Sequence, residues 1–91
     1  MSAKAEISWK RETEDGVKVQ VYAQHVGREW FFYIREKRFD QWQKQEAPPL
    51  ADWLELLDGV RRRIGRGFLR PQEEIHVKKM ILDRFPETQL D

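Results

Sequence analysis

Five arginines, Arg61, Arg62, Arg63, Arg66 and Arg70, fall within ten residues, in a stretch from Val60 to Arg70 that holds no acidic side chain. A local guanidinium cluster suits phosphates or an acidic partner. Three of the five have another explanation. Asp52, Glu55 and Asp58 precede Arg61 to Arg63 along one predicted helix, the order its macrodipole favours, and Asp58 stands four residues before Arg62. Arg66 and Arg70 lie beyond that helix and flank Gly67, where backbone amides can approach an anion closely. For this pair a solvated or structural role competes with anion binding.

The second group is aromatic. Trp30-Phe31-Phe32-Tyr33 would make a strand apolar on both faces. Such a strand is either buried twice or has an outer face covered by a partner subunit. It also suits a platform for unpaired bases, with Lys10, Lys18 and Arg35 beside it to meet the phosphates. No catalytic constellation can be assembled by spacing. His25 falls in a predicted turn and His76 on a polar helix face, neither beside a second histidine or a thiol. Ser8 has no histidine nearby, and Glu73-Glu74 fit the first turn of a helix. The chain is expected to be no enzyme and to use no cofactor or metal.

Composition sets the frame for both groups. Hydrophobic residues make up 40% and charged residues 36% of the 91, with eleven aromatics, which is too apolar for a disordered chain. A chain of this length has room for one domain, residues 1–91, with a small core. The net charge is only +1: nine basic and eight acidic residues precede residue 50, and eight of each follow. Charge-driven binding must therefore be local. With no cysteine, and no apolar run long enough for a signal peptide or membrane span, a soluble cytoplasmic protein is expected.

The elements that carry these residues follow from periodicity. Ile7, Trp9, Arg11 and Thr13 alternate with polar neighbours, as do Val17, Val19, Val21 and Ala23, the period of half-buried strands. A three-residue loop Glu14-Asp15-Gly16 pairs Trp9 with Val21 and keeps both apolar sets on one face, with Gly16 in the left-handed position. A four-residue loop from His25 to Arg28 then pairs Ala23 with Trp30, Val21 with Phe32 and Val19 with Ile34. On the outer face it sets Tyr22 beside Phe31 and Gln20 beside Tyr33. After a turn at Glu36-Lys37, a fourth strand would face Phe39 inward opposite Ile34 and Trp42 outward opposite Phe31.

Pro48-Pro49 ends the sheet region, placed at 5–44, through a linker at 45–49. Leu50, Trp53, Leu54, Leu57, Val60 and Ile64 recur at helical spacing, with Asp52 off that stripe and Gly65 as its terminator, which predicts a helix over about 50–64. Pro71 opens a second helix over about 71–85, with Ile75, Val77, Ile81, Leu82 and Phe85 on one arc and Pro86 as its stop. The expected architecture is α+β: a three- or four-stranded antiparallel meander followed by two helices packed on one sheet face.

Gly27-Arg28, Ile34-Arg35-Glu36 and Asp40, followed by Leu50, Trp53, Leu56 and Val60 on a helix, resemble the transcriptional coactivator family called positive cofactor four. The likeness spans little more than a third of the chain. It implies a four-stranded antiparallel sheet preceding a helix, a homodimer to which helices contribute, and single-stranded DNA bound by basic and aromatic side chains of the sheet. Lys10, Lys18, Tyr22, Phe31 and Tyr33 would belong to that surface. The chain departs from the family in a shorter linker between Asp40 and Trp53, in lacking a Lys-Gly-Ile-Ser-Leu segment before the helix, and in its added second helix.

Two functions are thus expected from the sequence. The first is a small nucleic-acid-binding module favouring single strands, through Lys10, Lys18, Tyr22, Phe31, Tyr33, Arg35, Arg66 and Arg70. The alternative is a protein-interaction or homodimerisation module, with a second copy or an acidic protein as partner.

Overall fold

The computed structural model describes residues 6–90 and has the α+β architecture. Strands β1 (Glu6–Glu12), β2 (Lys18–Val26), β3 (Glu29–Arg35) and β4 (Gln43–Gln45) form one antiparallel sheet in the order β1-β2-β3-β4, and helices α1 (Leu50–Gly65) and α2 (Gln72–Arg84) follow. The chain divides at Pro48-Pro49 into two compact units, the sheet and the helical pair. The expected sheet start at residue 5 lies outside the described residues.

The first hairpin follows from its loop. Trp9 pairs with Val21 and Ile7 with Ala23. The Thr13 N–H donates to the Val17 carbonyl at 2.8 Å and the Gly16 N–H to the Thr13 carbonyl at 2.9 Å, closing Glu14-Asp15-Gly16 with Gly16 at φ +82°. Any residue with a Cβ is disfavoured at that angle.

The second hairpin corrects the sequence reading. Val26 pairs with Glu29, so the loop is only Gly27-Arg28, and every pair moves by two: Ala23 faces Phe32, Val21 faces Ile34 and His25 faces Trp30. Gly27 has φ +63° while Arg28 stays at negative φ, the signature of a type II′ turn, which matches the twist of the flanking strands. A shift of two leaves every side chain on its expected face, so alternation alone cannot tell the two loops apart. His25 consequently belongs to a strand, with its ring stacked on Trp30 at 4.5 Å, and not to a turn.

The fourth strand also differs. Residues 36–42 form a loop, and only Gln43–Gln45 pair with β3, with Lys44 opposite Tyr33. Phe39 is 91% exposed and not inward-facing. Asp40 is the reason: its carboxylate accepts the Lys37 N–H at 3.1 Å, and its own N–H donates to the Lys37 carbonyl at 2.9 Å, so Lys37–Asp40 close a tight turn with Phe39 near its tip. Because β4 runs to Gln45, the linker shortens to residues 46–49.

The inner face of the sheet is the buried one. Ile7, Val19, Val21, Ala23, Trp30 and Phe32 are all sealed from solvent, with Trp9 set edge-on against Phe32 at 6.2 Å between centroids.

In the helical unit the buried side of α1 comprises Asp52, Trp53, Leu56, Leu57, Gly59 and Val60, rotated toward Leu56 from the predicted stripe, so Leu54 is exposed and Asp52 buried. Apolar residues at 53, 54, 56 and 57 spread over about 160° of the circumference, wider than a single narrow stripe, which leaves the buried arc undetermined by hydrophobicity. The helix runs one residue past the expected 64, and its closing residue is Gly67 instead of Gly65. The Gly67 N–H reaches the Ile64 carbonyl at 3.0 Å and the Phe68 N–H the Arg63 carbonyl at 2.8 Å, with Gly67 at φ +81°, a Schellman closure in which Gly67 supplies the left-handed residue.

On α2 only Val77 and Ile81 are fully buried, and Ile75 at 69% and Leu82 at 40% are exposed. Both lie more than a quarter-turn round the helix from Ile81, so they do not share its arc. The side facing α1 is instead completed by charge: Glu74 receives Arg61 Nε at 2.9 Å and Lys78 Nζ at 3.2 Å.

Candidate nucleic-acid interface

Strand alternation puts even-numbered residues of β1 and β2, and odd-numbered residues of β3, on the outer face. The observed register arranges them in cross-strand rows. Lys10, Gln20 and Arg35 make one row, and Ser8, Tyr22, Tyr33 and Lys44 the next; Glu6, Gln24 and Phe31 make the third. The two-residue shift in the second hairpin creates this order. It places Tyr33, not Phe31, beside Tyr22.

The rings form a contiguous group. Tyr22 and Tyr33 stack at 4.8 Å with planes 15° apart, and Trp42 meets Tyr22 edge-on at 4.7 Å. Each end of the group carries a cation. The Arg35 guanidinium lies 4.2 Å above the Trp42 ring while its Nε donates to Gln20 Oε1 at 2.8 Å, and Lys44 Nζ sits 4.6 Å from the Phe31 centroid. Burial among these rings is the main cause that pushes the Tyr22 phenol above its ordinary value; the Tyr33 phenol and the Glu6 carboxylate add to it. Tyr22 therefore remains a neutral hydroxyl, a donor and acceptor within the aromatic surface.

Of the sequence-predicted residues, the structure brings Tyr22, Tyr33 and Arg35 into this group and places Phe31 one row away. Lys10 lies in the Arg35 row. Lys18 sits at the far end of the sheet opposite Glu12. Four cations, Lys10, Lys18, Arg35 and Lys44, thus share the face with Glu6, Glu12 and Glu29. Arg66 and Arg70 belong to the helical unit and are not part of this surface. Both are exposed, and neither side chain forms a hydrogen bond or ion pair with another described residue. By contrast Arg61 binds Glu74, Arg62 pairs with Asp58 at 3.2 Å, and Arg63 donates to the Gly59 carbonyl at 3.4 Å.

Two members of the site were missed. Trp42 had been placed outward, but opposite Phe31 rather than against Tyr22. Lys44 falls at the end of the expected sheet region, 5–44, but residue spacing assigns it no cross-strand partner. Three residues of pairing carry too little periodicity to identify a strand, and Gln43-Lys44-Gln45 has no apolar residue at all.

Among the described residues no helix is long and apolar enough to cross a membrane, and no group of three or more histidine or carboxylate side chains stands together to hold a metal ion. Compared with protein-family models, with curated proteins and with solved structures, the chain matches none.

Proposed function

We propose that this chain is a small, non-enzymatic nucleic-acid-binding module that favours single strands through the outer face of its sheet. The observation that carries the reading is the Tyr22, Tyr33 and Trp42 cluster, flanked by Arg35 and Lys44 on one partly exposed face. Every base has a π-face that stacks on an aromatic ring, whereas paired bases in a duplex already stack on one another. Such a surface selects unpaired nucleotides without reading their sequence. Lys10, Lys18, Arg35 and Lys44 then meet the phosphates, and Tyr22 offers a hydroxyl to a base edge or a sugar. Arg66 and Arg70 supply a second anion-binding position in the helical unit.

Titration of the chain with a fluorescent single-stranded oligonucleotide tests this. Affinity is expected to fall steeply with added salt, with a log-log slope of about −0.7 per phosphate neutralised, and the matching duplex is expected to bind more weakly. No binding of DNA or RNA at low ionic strength would remove the reading.

A second reading is favoured by Phe68 and Ile75, which stand 73% and 69% exposed in the helical unit. Large apolar side chains in water suit a protein partner or a second copy of the chain. A concentration-dependent rise in mass that charging Ile75 abolishes, without oligonucleotide binding, would establish that alternative. A monomer at high concentration would count against self-association.

A further inference from the structure

A single exposed aromatic is common on protein surfaces and needs no function by itself. Phe39 has three further properties. Its turn is held at both ends by the Asp40 contacts to Lys37, at 3.1 Å and 2.9 Å, so the ring is presented by a closed backbone instead of an open loop. The neighbouring Arg38 guanidinium lies over the ring at 5.9 Å, and Lys37 stands on the other side of Arg38 in sequence, so the aromatic tip is accompanied by two cations. The loop that bears it is also the one that delivers Trp42 to the aromatic cluster. Three residues of chain span at most about 11 Å, so Phe39 cannot be further than that from Trp42 along the backbone.

We infer that the Lys37–Asp40 turn is a second base-binding element, a finger that stacks Phe39 on an unpaired base next to the nucleotides held by the sheet, while Lys37 and Arg38 meet the adjoining phosphates. This rests on the single-strand reading of the outer face and deepens it. The closed turn lowers the ordering cost that binding by a flexible loop would incur. Glu36, at the foot of the turn, opposes phosphate there. The Asp40 carboxylate, which accepts the Lys37 N–H and keeps its charge, does so as well, so the phosphates must lie on the Lys37 and Arg38 side of the turn. A ring this exposed loses no folded-state packing on truncation, so Phe39→Ala is expected to fold as the parent does.

The test uses the full chain as parent, Phe39→Ala, Phe39→Trp and Tyr33→Ala. The probes are a short oligothymidylate, an abasic oligonucleotide of the same length, and vesicles of phosphatidylcholine with phosphatidylserine. Phe39→Ala is expected to weaken oligothymidylate binding about tenfold, the loss of one base stack, and Phe39→Trp to restore it. The abasic strand, which offers phosphates and no bases, is expected to bind parent and Phe39→Ala equally. Unchanged oligothymidylate affinity in Phe39→Ala, while Tyr33→Ala weakens it, would overturn the finger and leave the sheet surface standing. Failure of the parent to bind either oligonucleotide would overturn both. Equal oligonucleotide affinity with vesicle binding lost only in Phe39→Ala would make the turn a membrane contact instead.

Discussion

On the inner face of the β2–β3 pair, Val21, Ala23 and Phe32 are at most 1% exposed, whereas Tyr22 and Tyr33, one residue along each strand, stay half-buried on the outer face and stack on each other at 4.8 Å. The same alternation produces both surfaces. They differ in what the side chains carry: the inner face is aliphatic and aromatic without charge at its centre, and the outer one interleaves phenols with Lys10, Arg35 and Lys44. A face needed only for burial gains nothing from four cations, since each must remain hydrated or be paired. The contrast separates a surface that holds the fold from one available for binding.

The sharpest way to break that contrast is to damage each face in turn. Phe32→Ala removes a sealed ring and is expected to cost about 3 to 5 kcal/mol of stability, a large share of what a domain of this size has, read from the denaturant midpoint. Tyr33→Ala is expected to reverse the balance. Loss of the Tyr22 stack costs about 0.5 to 1.5 kcal/mol beyond area burial, while oligonucleotide affinity falls by about 1 to 3 kcal/mol. Equal stability losses with unchanged binding would merge the two faces into one structural role.

Gly27→Ala probes the register that brings Tyr22 beside Tyr33. Nothing lies within 4 Å of a Cβ placed there, so the cost is that of the φ +63° backbone alone, about 1 to 2 kcal/mol, and binding by the folded fraction is expected to be unchanged. Cross-strand proton contacts between Tyr22 and Tyr33 would show whether the two-residue loop persists.

The helical unit should respond least. Changing Arg66 and Arg70 together to glutamine is expected to move stability by about 0 to 1 kcal/mol, because both are exposed. It is expected to flatten the salt slope of binding by up to about two phosphate contacts. A clear stability loss with no change in slope would make them braces of the interhelical turn. The smallest effect concerns pH. The hydrogen bonds from Arg61 and Lys78 hold the Glu74 carboxyl below the usual glutamate range. Its contribution to stability is therefore present above the unfolded-state value and is lost as pH falls through the lowered folded one. Glu74→Gln should flatten the acid limb of the stability profile, and an unchanged limb would remove Glu74 from that account.

The order of elements was legible in the sequence, and so was the Trp9 to Val21 register, because moving that hairpin by one residue would put charges on the apolar face. The second hairpin was not, since loops of two and four residues preserve the same faces and only the turn geometry at Gly27 distinguishes them. Phe39 misled through its hydrophobicity. The Asp40 contacts that close its turn depend on spatial placement, and periodicity carries no trace of them. Gly65 and Gly67 were both suitable helix stops by type, and the hydrogen bonds from Gly67 and Phe68 select the second. At the site, residue types indicated the chemistry of the outer face, but the pairing of Tyr22 with Tyr33 and the positions of Trp42 and Lys44 needed the three-dimensional register.

In a side-chain chemical-shift titration with a single-stranded oligonucleotide, ring and methyl signals report the two faces of the sheet separately. Strand binding on the outer face should give large, saturable, salt-sensitive shifts for the rings of Tyr22, Phe31, Tyr33 and Trp42, and small ones for Trp30, Phe32 and the Val21 methyls. Shifts confined to residues around Arg66 and Arg70, or none at any strand concentration, would contradict it.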